Sequence, residues 1–379
     1  MSLINYRNPG RLWRVYARSL LRYGSPKKIF NALRTEYAYR RRISDVRSMP
    51  YILFLEPLYY CNLDCPLCDR QVFPDARPGK QAGKLSMELF DRLLAEAGDY
   101  LFQCQIFGQG EPLLDWPRTA QIIEKCRRRR IFTLLSTNCT LVTPNIAAEV
   151  VASGLDHLVC AIDGISQESY VRYRSSGQLR DAMAGMRLFV AERQRQKKRI
   201  EIEWQFLVHR YNTHERDEAA KMAADLGVHI RFAPLRGMEY SSALQEYWLP
   251  EDGRTFQNGR LEPGKTRSAF PCYFLWRSLV LNSNGKAARC LIYQNVAEYG
   301  DLNDSSVRDL YNHPTVRRAR QLFSKTPVPQ GDFPVPCNNC SFFGRHHGGV
   351  NMDKHASLGL PAPQRAPSGF VPLASVGRR

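Results

Sequence analysis

The chain has 379 residues, a length that predicts two domains, or one large barrel with an appendage, at roughly 150 residues per domain. Its composition, 44% hydrophobic and 24% charged, is that of a globular protein and excludes a largely disordered chain. The sequence has no apolar run of about 18 residues, and Arg7, Arg11 and Arg14 interrupt the place where a signal peptide has its apolar centre. We therefore expect a soluble protein of the cytoplasm.

Positive charge is concentrated in the first fifty residues. The net charge is +18, and residues 1–50 contribute +10 because they hold twelve Lys or Arg and two acids. Arginines recur there at helical spacing opposite apolar side chains, at Arg11, Arg14, Arg18 and Arg22. This pattern predicts a basic amphipathic helical lead-in over residues 1–50. Its residues 1–48 either make a peripheral contact with an anionic membrane surface or form a solvated face.

Six short apolar runs alternate with helical segments between residues 51 and 235. The runs cover residues 51–57, 102–108, 131–137, 157–163, 200–208 and 229–235. Strands that alternate with helices form parallel βα units, because parallel neighbours need a crossover connection. We predict an α/β fold in which residues 51–235 form a partial (β/α)6 TIM-type barrel that binds ligands at the carboxyl ends of its strands.

A second unit follows the barrel. Residues 236–271, rich in Gly, Pro and charge, are interpreted as a linker. A hairpin with its turn at residues 282–285, followed by a helix over residues 305–323, predicts a small α+β domain at residues 272–345. The composition of residues 346–379 predicts a mostly disordered tail.

Three closely spaced cysteines, Cys61, Cys65 and Cys68, directly follow the first predicted strand. Eleven cysteines without an export signal favour metal or redox chemistry over disulfides. A closed zinc site needs four ligands, and the C-x3-C-x2-C spacing supplies three. Three thiolates suit a cubane iron–sulfur cluster with one iron left open for a substrate.

This arrangement resembles the radical S-adenosylmethionine (radical SAM) superfamily. The resemblance implies that Cys61, Cys65 and Cys68 hold a [4Fe-4S] cluster whose fourth iron is chelated by S-adenosylmethionine. It further implies reductive cleavage of that cofactor to a 5′-deoxyadenosyl radical that abstracts hydrogen. A flavodoxin- or ferredoxin-type protein is the expected electron donor.

Motifs at the ends of later strands extend the resemblance over residues 50–235. Residues 108–112 (GQGEP) resemble the family's glycine–glutamate motif, residues 136–140 (STNCT) its S-T-N-G-T, and residues 163–164 (DG) its ribose-contacting segment. The nucleotide contacts implied by the resemblance are Leu67, Gly108, Gly110, Glu111, Ser136, Asn138 and Asp163.

Three further residues near these motifs have open roles. Arg172 or Arg174 either pairs the methionyl carboxylate or lies solvated on a helix. Cys139 stands where the family usually has glycine. Its thiol either lies at the rim and donates a hydrogen atom to a substrate radical, or only fills space.

The C-terminal cysteines Cys272, Cys290, Cys337 and Cys340, with Gly285 between the first two, resemble the SPASM extension in its shortened "twitch" form. The resemblance implies that these four cysteines hold one auxiliary [4Fe-4S] cluster. Structural zinc is the alternative that the spacing leaves open. His346 and His347 are candidates for substitute ligands, although adjacent histidines in a Gly-rich loop are typically solvent-facing.

We therefore predict a radical SAM oxidoreductase that oxidises or rearranges a small polar substrate, with sugars and lipid-linked molecules among the candidates. One alternative is a radical SAM enzyme that matures a ribosomal peptide. Another is a basic, zinc-containing protein without enzyme activity that binds nucleic acid or membranes. No nucleic-acid partner is expected in the main interpretation, because the strand-end motifs point to a nucleotide cofactor instead.

Overall fold

The computed structural model describes residues 21–72, 83–235, 247–250, 255–257, 260–262, 272–289 and 298–324. One nine-stranded sheet organises these residues, in the order β11-β10-β9-β1-β2-β3-β4-β5-β6. Its strands are β1 Ile52–Leu55, β2 Gln103–Ile106, β3 Phe132–Thr137, β4 His157–Ala161, β5 Glu201–Val208, β6 His229–Pro234, β9 Ser278–Leu281, β10 Lys286–Ala288 and β11 Glu298–Asp301. Strands β1 to β6 pair in parallel, which confirms the predicted parallel α/β core.

Helices connect the parallel strands and begin at clear sequence signals. They are α1 Pro26–Arg41, α2 Asp69–Val72, α3 Met87–Ala97, α4 Trp116–Arg128, α5 Pro144–Ala152, α6 Gln167–Tyr173, α7 Leu179–Arg195, α8 Arg216–Asp225, α9 Phe274–Arg277, α10 Val307–Tyr311 and α11 Pro314–Gln321. Short 3-10 helices lie at Pro112–Asp115 and Thr213–Glu215. Ser25, Ser86 and Thr143 each accept a backbone N–H of the first helical turn, which fixes where α1, α3 and α5 begin.

The two faces of the strands have different surroundings, because successive side chains point to opposite sides. Outward-facing apolar residues such as Leu53, Cys104 and Leu158 are buried against the helices in the main core. The inner face has an apolar part, where Phe54 packs against Val280. Its polar part lies on β2 and β4 to β6, with the side chains of Gln103, Gln105, His157, Glu203, Gln205 and Arg231. The barrel interior therefore has both polar and apolar parts.

The predicted C-terminal domain continues the barrel sheet. Strand β9 pairs in parallel with β1, from Ile52 opposite Ser278 to Leu55 opposite Leu281. Strands β10 and β11 then add antiparallel. The C-terminal domain and the barrel therefore share one sheet, because β9 is the second neighbour of β1 in that sheet.

Helix α1 lies across the N-terminal ends of the barrel strands. The Lys28 ammonium donates to the carbonyls of Arg129 and Arg130, at 3.1 and 2.6 Å, just before β3. Asn31 bonds both the N–H and the carbonyl of Met49, at 2.8 and 2.9 Å, just before β1. The helical part of the lead-in is therefore docked on the barrel, whereas residues 1–20 lie outside the described residues.

The segment interpreted as a linker contains ordered structure. Strands β7 Thr255–Gln257 and β8 Arg260–Glu262 form a hairpin, and Trp248 is 1% exposed. A linker does not describe these residues. The segment predicted as a disordered tail lies outside the described residues. Within the described part of the chain, no helix is both long and apolar enough to cross a membrane.

Candidate functional site

The loop with Cys61, Cys65 and Cys68 leaves β1 at the carboxyl edge of the sheet. It is held from both sides, because Glu111 N–H donates to the Tyr60 carbonyl at 2.8 Å and Asp64 N–H to the Ser175 carbonyl at 3.3 Å. All three cysteines are free thiols, and Cys65 is buried. The parallel topology thus places them where ligands of such sheets bind.

Polar groups surround the three sulfurs. Leu63 N–H lies 3.4 Å from Cys61 Sγ, and Arg174 Nη1 lies 3.7 Å from Cys65 Sγ. Cys68 Sγ donates to Gln109 Oε1 at 3.0 Å. Each of the three sulfurs therefore has a polar neighbour.

Burial raises the pKa of all three thiols, which disfavours thiolates unless positive charge is nearby. A cluster of iron ions and the Arg174 guanidinium would supply that charge. The described side chains include no ready-made group of three or more His, Cys, Asp or Glu residues for a metal ion. The fit to a cluster therefore rests on the chemistry of the donor set: three free thiols, one cation and a hydrogen-bond donor to sulfur.

Gly108 and Gly110 sit where the chain after β2 passes close to the extension of β1. A Cβ on Gly110 would lie 2.7 Å from the Tyr60 carbonyl oxygen and nearer still to that of Leu58. A Cβ on Gly108 would lie 2.5 Å from the Cγ of Glu56. Glycine is required at both positions by this close approach. Contact with the methionyl amino group stays a prediction.

Glu111 links two strand-end loops. Its carboxylate accepts the N–H of Leu113 at 3.1 Å and that of Asn138 at 2.8 Å. Burial raises the pKa of Glu111. The Asn138 side chain in turn donates to Asn62 Oδ1 at 3.0 Å and lies 4.0 Å from Cys61 Sγ. Asn138 therefore borders the cysteine loop, and Glu111 holds the loops together. Contact of either residue with the nucleotide stays a prediction.

The side chain at position 139 is enclosed. Cys139 has a φ of 65°, a left-handed conformation that glycine adopts without strain, which explains why glycine suits this position. It is fully buried, and Sγ lies 3.8 Å from the Thr137 carbonyl oxygen. This enclosure favours the space-filling role over a thiol at the rim. Ser136, on the inner face of β3, is half-buried.

Asp163 and Arg174 form a buried ion pair at the end of β4. Arg174 Nε lies 2.6 Å from Asp163 Oδ2, and Leu207 N–H donates to Oδ1 at 2.7 Å. Burial raises the pKa of Asp163, although the nearby guanidinium opposes this shift. Both carboxylate oxygens have partners, so contact with a ribose stays a prediction. Arg172 instead stacks 5.3 Å from the Tyr211 ring, which leaves Arg174 as the arginine of the site.

An aromatic cluster beside this pair has no counterpart in the sequence motifs. Trp248 packs edge-on against Tyr173 and His209, at centroid distances of 5.8 and 5.4 Å. Burial lowers the pKa of His209 to about 3, so the ring is neutral. Within the described part of the chain, His209 Nε2 and Trp248 Nε1 are buried and have no hydrogen-bond partner, which suits a ligand with polar edges. Leu67 is also buried in the cysteine loop.

Among the C-terminal cysteines, the structure describes only Cys272. It packs against the clusters that contain Phe54 and Trp276. Cys290, Cys337 and Cys340, together with the candidate ligands His346 and His347, lie outside the described residues. The auxiliary ligand set therefore stays a prediction.

Two family models match the chain: the radical SAM superfamily over residues 55–200, and the SPASM iron–sulfur cluster-binding domain over residues 272–341. The chain is a radical SAM protein with a C-terminal SPASM domain. These two matches imply [4Fe-4S] clusters, which the cysteine-loop chemistry fits. They also leave the zinc-containing binding protein without support.

Two curated proteins are similar to this radical SAM protein over part of their length. The PqqA peptide cyclase of Bradyrhizobium diazoefficiens is 23% identical over 198 residues, 49% of the chain and 47% of the relative. The tungsten-containing aldehyde ferredoxin oxidoreductase cofactor-modifying protein of Pyrococcus furiosus is 29% identical over 113 residues, 29% of the chain and 30% of the relative. The chain thus spans less than half the length of either relative.

Solved structures show the same fold. SuiB of Streptococcus suis bound to its precursor peptide SuiA has a TM-score of 0.54 at 15% identity, and the match covers 76% of this chain and 70% of that one. The protein anSMEcpe with bound S-adenosylmethionine has a TM-score of 0.53 at 18% identity, covering 83% and 94%. Both confirm the partial-barrel architecture, and the second is a radical SAM fold that holds the cofactor.

Proposed function

We propose that this protein is a radical SAM enzyme that modifies a peptide. The observation that carries the proposal is the 198-residue similarity to a peptide cyclase. A fold neighbour bound to its precursor peptide points the same way. These findings favour the peptide alternative over the small polar substrate that the sequence suggested.

The inner face of the barrel offers groups that suit peptide bonds. The side-chain amides of Gln103 and Gln105 each leave one buried atom, Nε2 and Oε1 respectively, without a hydrogen-bond partner among the described residues. Primary amides both donate and accept, as a peptide group requires. On β5 and β6 the Glu203–Arg231 ion pair, at 2.6 Å, adds a charged but locally neutral surface. This part of the inner face would bind the uncharged, polar backbone of a peptide.

The residues of the cysteine loop have separable roles in this proposal. When bound, the cluster supplies the single electron that cleaves S-adenosylmethionine. Cys61, Cys65 and Cys68 hold the cluster. Arg174 places a buried positive charge beside Cys65, which offsets the negative charge of the thiolates. Glu111 fixes the loop that carries Asn138.

We propose net oxidation as the reaction class and a reduced flavodoxin- or ferredoxin-type protein as the electron donor. The support is the position of Cys272. This auxiliary-cluster candidate packs with Phe54 and Val280 at the apolar part of the inner face. If Cys272 holds the auxiliary cluster as we propose, that second redox group lies adjacent to the barrel interior.

The test uses the full chain, reconstituted anaerobically with iron and sulfide. We expect Cys65→Ala to abolish formation of 5′-deoxyadenosine, because Cys65 is a cluster ligand. Cys290→Ala should keep part of the uncoupled cleavage. Equal cleavage by these variants and the wild type would overturn the ligand assignments.

Substrate class is read from the same assay. A peptide substrate should accelerate 5′-deoxyadenosine formation and appear with a changed mass, whereas sugars and aminocyclitols should not. Acceleration by a sugar alone would contradict the peptide proposal while leaving the radical SAM chemistry in place. Bound zinc without iron would contradict the chemistry itself.

A further inference from the structure

Exposed apolar side chains are concentrated on and beside helix α1. Among the described residues, eight large hydrophobic side chains are exposed. Six of them belong to this region: Leu21, Ile29, Phe30, Leu33, Tyr37 and Ile43. Phe30, Leu33 and Tyr37 are each 60% exposed or more. Monomeric proteins rarely leave a contiguous apolar surface of this kind without a binding role.

Helix α1 is inverted relative to an ordinary surface helix, which buries its apolar face. Its polar side chains Lys28, Asn31 and Thr35 are buried against the barrel. Their hydrogen bonds, including that of Thr35 Oγ1 to the Asn31 carbonyl at 2.9 Å, satisfy them there. The docked face is therefore mostly polar, with Ala38 and Tyr39 as its apolar part. The large apolar side chains Ile29, Phe30 and Leu33 point outward instead.

Basic side chains flank the apolar face. Arg34, Arg40 and Arg41 are all exposed. Lys27 is exposed as well, but it pairs with Asp99 at 2.9 Å. The single acid of the helix, Glu36, is half-buried and pairs with Arg277 at 2.7 Å. The outward surface thus combines apolar and cationic groups, and no carboxylate of α1 opposes an anionic partner.

We infer that helix α1 docks in the interface of an anionic phospholipid membrane. A helix with aromatic and leucine side chains on one face and Lys or Arg along its edges lies in the plane of such an interface. Each cation near the surface of an anionic bilayer strengthens the attraction. This chemistry favours an anionic bilayer over a second copy of the same cationic surface, which would repel it.

The docking would orient the enzyme. Lys28 and Asn31 fix α1 at the N-terminal ends of the strands, whereas Cys65 lies in the loop after the carboxyl end of β1. The site therefore faces away from the bilayer. A substrate would reach it from the aqueous side, which agrees with a peptide and disfavours a lipid-linked molecule drawn from the same membrane.

The test is sedimentation of the reconstituted full chain with vesicles of equimolar phosphatidylcholine and phosphatidylglycerol. Leu33→Ser removes an exposed apolar side chain. Leu114→Ser is its matched control, at a 44% exposed position of the 3-10 helix after β2. Arg40→Glu reverses a flanking charge, and Arg180→Glu is its control at the start of α7, where the side chain is 87% exposed. All four positions are exposed, so the fold should be preserved, as circular dichroism would check.

We expect about tenfold weaker partitioning for Leu33→Ser and for Arg40→Glu, and wild-type binding for both controls. Added salt, or vesicles of phosphatidylcholine alone, should also weaken binding. Equal binding by all four variants would overturn the inference. The inference would also be overturned if Leu33→Ser changed the self-association of the protein but not its binding to vesicles. The same holds if Leu33→Ser weakened vesicle binding only in chains that lack residues 1–20 or 325–379.

These outcomes are independent of the proposed reaction. Leu33→Ser should form 5′-deoxyadenosine in solution at the wild-type rate, because α1 contacts the opposite end of the strands from Cys65. Failure of vesicle binding therefore leaves the enzymatic proposal intact. Failure of cofactor cleavage leaves the membrane inference intact.

Discussion

The buried pair of Asp163 and Arg174 joins the nucleotide motif to the cysteine loop. Burial disfavours both charges, but Asp163 and Cys65 more than offset this for Arg174, whose pKa rises above its usual range. Breaking a buried pair from one side leaves an uncompensated charge. The guanidinium is therefore a positioning group for the loop as well as a partner of the carboxylate.

Arg174→Met should destabilise the protein by about 3–5 kcal/mol, because Asp163 remains buried without its cation. The double variant Asp163→Asn/Arg174→Met should lose less free energy of unfolding than the two single variants, Asp163→Asn and Arg174→Met, lose together. Urea unfolding measures both quantities. The matched control is Arg180→Met, which removes an exposed pair with Asp181 and should change stability by no more than about 0.5 kcal/mol. A loss for Arg174→Met as small as that of the control would contradict this role.

At the residue scale, the sequence could predict chemistry that local spacing encodes. The C-x3-C-x2-C motif directly follows the first apolar run, so the sequence predicted the three thiols at the end of β1. It could not show that Arg174, 109 residues further along, would approach Cys65. Trp248 likewise lies in a segment whose composition indicated a linker. Such contacts join distant parts of the chain and have no periodic signature.

Helix α1 depends on a few polar contacts at the element scale. Asn31 satisfies both backbone groups of Met49 and is 5% exposed. Asn31→Ala should therefore destabilise the protein by about 1–3 kcal/mol, since it leaves buried donors and acceptors unpaired. Arg34→Ala, on the exposed face, is the control and should stay within about 0.5 kcal/mol. Thermal unfolding of both variants measures the difference. Equal midpoints would show that α1 does not depend on this contact.

The sequence predicted where the strands lie along the chain, but it predicted the ends of the strands and the pairing between them less well. The apolar run at residues 51–57 is longer than strand β1, which ends at Leu55, because Glu56 and Pro57 are buried as well. Apolar character reports burial rather than strand pairing. The pairing of β9 with β1 was also outside local inference, because it joins residues more than two hundred positions apart.

At the scale of the whole molecule, the C-terminal region completes the barrel. Strand β9 covers the edge of β1, and Arg320 is buried with its guanidinium donating to the Leu275 and Ser44 carbonyls, at 2.7 and 3.0 Å. A chain that ends at residue 271 would expose the β1 edge and the ring of Phe54. Unpaired strand edges promote association between chains. The barrel therefore depends on strands that lie within the SPASM match.

We expect the 1–271 chain to aggregate or to elute as large oligomers in size-exclusion chromatography. A chain that ends at residue 324 is the control, because it keeps β9 to β11 and α11. The control should be compact and less prone to association. If the two chains behave alike, the shared sheet does not stabilise the barrel.

The Glu203 carboxylate on the inner face predicts an acid-dependent stability. Burial alone would raise its pKa, but the neighbouring His229 and the Arg231 guanidinium, whose Nε lies 2.6 Å from Oε1, lower it to about 2. A folded pKa below the unfolded value of about 4.3 stabilises the native state above that value. The contribution is then lost as the pH falls toward 2.

The wild-type protein should therefore lose up to about 3 kcal/mol of stability through this group as the pH falls from about 5.5 toward 2. Glu203→Gln should remove that part of the pH dependence, since the amide does not titrate. Glu218→Gln, on an exposed pair with Lys221, is the control and should follow the wild-type curve. Urea unfolding of the metal-free protein across this range gives the three curves. Parallel curves for wild type and Glu203→Gln would show that the inner-face ion pair does not hold the carboxylate ionised.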